Sequence, residues 1–195
     1  MKLLGRLLVL MIFVGMSGQT SFAKEEVDPA LTLPRKAHKI FKSMVGKWSF
    51  STHSWRSPGS EPERVGSGLS TNTTLYGGRF LKLEIVGGDK DGQAVESTRI
   101  MGYDNLREEY QTFMLGSKGT SILFMAGTFD AASKIIKTEG TVSLQVTGEA
   151  ARRARTEIHL IGDDSYSITF YLEDPKVGEF KAVETFFTRM EQVLE

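Results

Sequence analysis

Ser165-Tyr166-Ser167-Ile168-Thr169-Phe170-Tyr171-Leu172 sets Tyr166, Ile168, Phe170 and Leu172 against Ser165, Ser167 and Thr169. A two-residue period puts the first set on one face of an extended strand and the second on the other. Leu81, Leu83 and Ile85 alternate with Lys82 and Glu84 in the same way. Outward from these two segments, β-branched and aromatic runs recur at short intervals with turn residues between them. The pattern predicts strands near 47–57, 65–75, 79–87, 93–103, 109–116, 119–129, 134–146, 153–161, 165–173 and 179–189. Gly77-Gly78, Gly87-Gly88 and Gly162 are read as turns with positive φ. Asp104-Asn105, Asp130 and Asp163-Asp164 can hydrogen-bond their own backbone. No long helical period interrupts the series, which argues against βαβ units.

So many antiparallel strands must hide their edges, and a closed barrel does so fully. The fold class is therefore all-β: one antiparallel up-and-down barrel of about ten strands, preceded by a short helix. That helix starts at Pro34, where a missing N–H costs nothing. It carries Ala37, Ile40, Phe41, Met44 and Val45 at helical spacing, and Gly46 stops it. Its apolar side is expected to pack on the barrel.

The first 23 residues read as an address. Lys2 and Arg6 precede the uncharged run Leu7 to Val14, and Ser21 and Ala23 suit signal peptidase, so cleavage is expected after Ala23. Leu3 to Met16 is shorter than the roughly 20 residues that span a bilayer, so no stable membrane insertion is expected after cleavage. Residues 1–23 are thus a signal peptide, 24–33 a polar lead-in, and 34–195 a single domain, periplasmic or secreted.

Composition removes whole classes of chemistry. The chain has 24 basic and 24 acidic residues and no Cys. Balanced charge argues against nucleic acid as a partner, and the missing thiols exclude disulfides, thiolate metal sites and cysteine nucleophiles. Arg152-Arg153-Ala154-Arg155 is basic but flanked by Glu149 and Glu157, which reads as a solvated loop. Asp89-Lys90-Asp91-Gly92 resembles a calcium loop only at its start. Ala94 and Ile100 stand where that loop needs Gly and Glu, so it reads as a hairpin turn. Gly66-Ser67-Gly68 lacks nucleophile-elbow spacing. His38, His53 and His159 show no paired metal spacing, so no metal is implied. Met101, Met114 and Met125 fall on successive strands and could suit Cu(I), though core or pocket filling fits them better.

Gly46-Lys47-Trp48, Gly77-Gly78-Arg79-Phe80-Leu81, Gly102-Tyr103-Asp104-Asn105, Tyr110, Gly127-Thr128-Phe129-Asp130 and Thr188-Arg189 occur in that order. This set resembles the bacterial family known as domain of unknown function 1579, from about His38 to Arg189. The resemblance implies a lipocalin-like (calycin) barrel and no established reaction, and the residues themselves call for no cofactor. In lipocalin-like folds an Arg on the last strand crosses the Trp of the first, so the resemblance also implies Trp48 and Arg189 as a barrel-closure pair.

Two function classes follow. The first is a non-catalytic barrel holding a small apolar or amphipathic ligand among Phe50, Leu83, Met101, Tyr103, Met114 and Phe170. The second is a barrel enzyme acting on a small envelope-derived molecule, although no nucleophile–base pair is visible and no catalytic residue is assigned. Nitrobindin-type haem barrels resemble the chain in architecture, but they carry their iron-ligating His near the C-terminus, and Leu160 to Glu195 contains none. Arg99 and Glu184 stand mid-strand. Facing inward they could pair or orient a polar ligand group, and facing outward they are surface charges.

Overall fold

A computed structural model describes residues 28–145 and 147–191. The expected signal peptide and its expected cleavage site lie outside the described residues. Ten antiparallel strands form one closed barrel. They are β1 (Gly46–Ser54), β2 (Glu63–Leu75), β3 (Phe80–Asp89), β4 (Ala94–Asp104), β5 (Glu109–Gly116), β6 (Leu123–Asp130), β7 (Ile135–Leu144), β8 (Glu149–Leu160), β9 (Ser165–Asp174) and β10 (Gly178–Arg189). Each strand pairs with its neighbours in sequence, and β10 returns to β1 with Trp48 opposite Arg189.

The alternation read from the sequence is the inside–outside alternation of this wall. Tyr166 and Ile168 are buried. Leu81 and Leu83 are fully buried and face Met101 and Arg99 across the β3–β4 ladder.

Three expectations need correction. Gly87 and Gly88 lie inside β3, and the turn comes later at Asp89–Gly92, where Gly92 has φ +77°. Gly162 does not have positive φ. Arg152, Arg153 and Arg155 lie in β8, where Arg155 on the outer face donates to Glu179 and covers the Tyr171 ring at 3.9 Å. A carboxylate partner and an aromatic face satisfy that cation within the strand.

One turn of helix (α1, Pro29–Thr32) lies in the polar lead-in, and the short helix expected after Pro34 is present as a 3₁₀ turn (Lys36–Lys39) running directly into a helix (α2, Ile40–Met44). Asp28 caps α1 by accepting from the Ala30 N–H at 2.8 Å. His38 Nδ1 accepts from the Arg35 N–H at 3.0 Å, which tightens the next turn. The set closes one end of the barrel, with Phe41 and Met44 buried against Trp48 and Tyr110. Barrel groups also hold its carbonyls: Arg79 takes that of Thr32, Asn105 those of Leu31 and Leu33, and Tyr110 that of Ala37.

His38 gives this plugged end a pH response. Burial and the nearby Arg79 and Arg35 charges hold its pKa below the ordinary 6.5. The unfolded chain therefore binds a proton more readily, so stability is complete above pH 6.5 and falls as the solution is acidified below it. Urea unfolding at pH 7 and 5.5 should show this loss, bounded by about 1.4 kcal/mol per pH unit. His38→Gln should flatten it, and an unchanged slope would refute the assignment.

Candidate functional site

Opposite the plug, the barrel is hollow. A cavity of ≈ 260 Å³ opens among Phe50, Ile85, Met114, Ile168 and Phe187, with the Thr52, Ser97 and Thr185 hydroxyls and Arg99 also in its wall. A water molecule occupies about 30 Å³ of the liquid, so the space suits an organic molecule of roughly ten heavy atoms.

The space exists because one side of the wall has almost no side chains. Gly68 lies opposite Gly87 across β2–β3, and opposite Phe50 across β1–β2. A Cβ on Gly68 would strike the Val86 carbonyl and crowd the Phe50 ring. One on Gly87 would meet the same ring and the Ser67 carbonyl. Glycine here serves close approach rather than turning, and it lets Phe50 lie against backbone. This pair was visible only as Gly66-Ser67-Gly68 and Gly87-Gly88, two stretches that read as a failed elbow and a turn.

Around the mouth, ion pairs join neighbouring loops. Glu63 accepts from Arg56 at 2.8 Å and from Lys90 at 3.0 Å, and Lys118 reaches Asp89 at 3.1 Å. Asp89 also accepts from the Gln93 and Asp91 N–H groups. The Gln93 bond, then Lys118, holds its carboxyl below the usual range.

Arg99 stands halfway along β4, between this mouth and the packed core. It is 6% exposed. Its Nη2 donates to the Met114 Sδ at 3.5 Å, and its Nε is buried without a partner. Among the described residues no carboxylate lies within ion-pair distance of it. Burial pushes the guanidinium down to about 10, so it remains cationic at neutral pH. Asp89 is six residues beyond Leu83, the ladder partner of Arg99, which is about 20 Å along the strand. Glu184 faces the opposite way, accepting from Thr169 at 3.2 Å and Lys181 at 3.0 Å on the outside. The two candidates do not meet.

The six candidate lining residues all fall on the inner face but at different depths. Phe50 and Met114 line the cavity. Leu83 and Met101 are sealed in the core, and Tyr103 packs edge-on against His38 near the plug. Phe170 packs with Met125, Ala154 and Met114 in a second cluster. His53 shares the outer face with Arg64 and Glu184, and His159 shares it with Ser167.

Larger concavities lie on the outer surface. One of ≈ 760 Å³ runs beside Arg35, Lys39 and Lys42, and one of ≈ 480 Å³ crosses β7 and β8 over Arg153 and Glu173. Their charges are solvated or paired, so neither places an unmet demand on a ligand.

At the closure, the Arg189 guanidinium lies 4.2 Å over the Trp48 ring. It donates to the carbonyls of Ser43 at 2.7 Å, Val45 at 2.8 Å and Asp163 at 2.9 Å. Trp48 Nε1 and Asn72 Nδ2 both donate to the Met44 carbonyl at 2.9 Å. The open carbonyls at the end of α2 are thus taken by three different strands.

A family model described as a protein of unknown function (DUF1579) matches residues 33–189. No curated protein matches the chain. Among solved structures, Rv2717c from M. tuberculosis is 14% identical, with a TM-score of 0.53 over 85% of this chain and 100% of its own. A de novo designed fluorescence-activating β-barrel is 14% identical, with a TM-score of 0.43 over 76% and 95%. The S-type phycobiliprotein lyase CPES from Guillardia theta is 11% identical, with a TM-score of 0.48 over 80% and 93%. At this identity the likeness to Rv2717c is one of fold.

Proposed function

The chain belongs to the DUF1579 family of proteins of unknown function, and we propose that it is a non-catalytic binding barrel that takes one small amphipathic ligand into its open end. The observation that carries this reading is the cavity itself, walled by Phe50, Met114 and Phe187 with a few polar groups among them. Concave, mostly apolar space with sparse polar groups is the usual form of a small-molecule site. An enzyme would also need an activated group. The cavity hydroxyls of Thr52 and Thr185 bond to each other at 3.0 Å, and no histidine lines the cavity among the described residues.

Calorimetric titration with 1-octanol tests the reading. One saturable site per chain with a negative heat-capacity change is expected. Ser97→Phe, which places a ring in the cavity, should weaken binding by about tenfold or more while leaving the β circular dichroism intact. Absence of saturable binding by 1-octanol and by octanoate alike would overturn it.

The reading includes export, which the basic start, the apolar run Leu7 to Val14 and the small residues Ser21 and Ala23 support. Protein recovered from the native cell should begin at Lys24 and lie outside the cytoplasm. Intact mass showing Met1 on a soluble cytosolic protein would refute this part.

A further inference from the structure

We infer that the ligand is an organic monoanion, with a carboxylate or similar small oxyanion seated on Arg99 and an apolar body pointing towards the mouth. This rests on the binding-barrel reading above and adds the chemical class of the ligand.

A guanidinium offers five N–H donors in a flat fork that matches an oxyanion. Here one donor is buried without a partner and another meets only a thioether sulfur. A thioether is a weak acceptor. Such a group is costly to bury unless something completes it. The protein does not complete it from within. Among the described residues Asp89 is the one acid in the cavity wall; it stands at the mouth, far along the strand from Arg99, and is already held by Lys118. A second incomplete group stands nearby. Thr112, the inward residue of β5 diagonal to Arg99, has a buried hydroxyl with no partner.

The charge count selects the class. With Asp89 paired to Lys118, Arg99 is left as one uncompensated cation that balances one negative charge, whereas a dianion would leave a buried excess. The neighbouring Phe50 and Ile168 side chains suit an alkyl or aryl body rather than a sugar. Arg99 also sits at the inner limit of the cavity, so a charged head placed there leaves the body in the space above it.

Titration of the purified protein with octanoate, 1-octanol and octylamine separates the possibilities. Octanoate is expected to bind roughly ten to a hundred times more tightly than 1-octanol, and octylamine not at all. Arg99→Met should remove the preference and leave 1-octanol binding in place, while Arg99→Lys should keep part of it. Equal affinity for octanoate and 1-octanol in the native protein would overturn the inference while leaving the binding barrel standing. Unchanged octanoate affinity in Arg99→Met would do the same. Failure of both ligands to bind would remove the binding-barrel reading and this inference with it. The native-protein comparison needs no variant, so it decides even if a substitution does not fold.

Discussion

Arg189→Lys is expected to cost about 2–3 kcal/mol of stability although the charge is kept. The guanidinium reaches three carbonyls on two separate segments, Ser43 and Val45 at the end of the plug helix and Asp163 in the β8–β9 turn. It does so while stacked 4.2 Å over Trp48. An ammonium has no flat surface to stack and cannot span the same fork. The side chain is partly exposed, so the figure rests on hydrogen bonds and stacking rather than on the Asp164 ion pair, whose acid is largely solvated. A double-mutant cycle with Trp48→Phe should return a coupling of about 0.5–2 kcal/mol. A loss under about 0.5 kcal/mol, the scale of an ordinary surface substitution, would show that the plug is held by apolar packing alone.

Arg99→Met should act in the opposite direction, stabilising the ligand-free protein by about 1–4 kcal/mol in urea unfolding. The reason is linkage. Burial pushes the folded-state pKa from the usual arginine range down to about 10, so between the two the unfolded chain holds the proton more tightly. Stability therefore rises with pH across that window, and the full penalty is present everywhere below it, neutral pH included. A shift of that size corresponds to roughly 3 kcal/mol. Methionine fills similar space without a charge. If Arg99→Met instead destabilises the ligand-free protein, the guanidinium holds the fold together and its incomplete hydrogen bonding signifies nothing about a ligand.

Both effects trace to features with different visibility in the sequence. The closure pair was legible because strand order alone brings the start of β1 to the end of β10. The direction of Arg99 was left open, although it shares the parity of Met101 and Tyr103, which were read as lining residues. Glu184 was harder, because the β10 ladder shifts register between Lys181 and Val183 and parity cannot be counted across a bulge. Depth was not legible at all. Alternation says which side of the wall a residue faces, but the plug decides which inward residues are packed and which line space. Leu83 and Phe50 look alike in sequence for that reason. The 3₁₀ winding of the helix's first turn was not legible, because the bond between the Arg35 N–H and the His38 ring is a side-chain event that apolar periodicity does not record.

A barrel stoppered by its own N-terminal segment is a cup rather than a conduit. Whatever enters between Phe50 and Met114 leaves by the same lip, so arrival and departure share one route and only one guest can occupy it at a time. Any macromolecule that settles over the loops bearing Glu63, Lys90 and Lys118 would then govern both steps together, trapping an occupied cup or locking an empty one. Delivery from such a vessel requires the receiver to meet that lip.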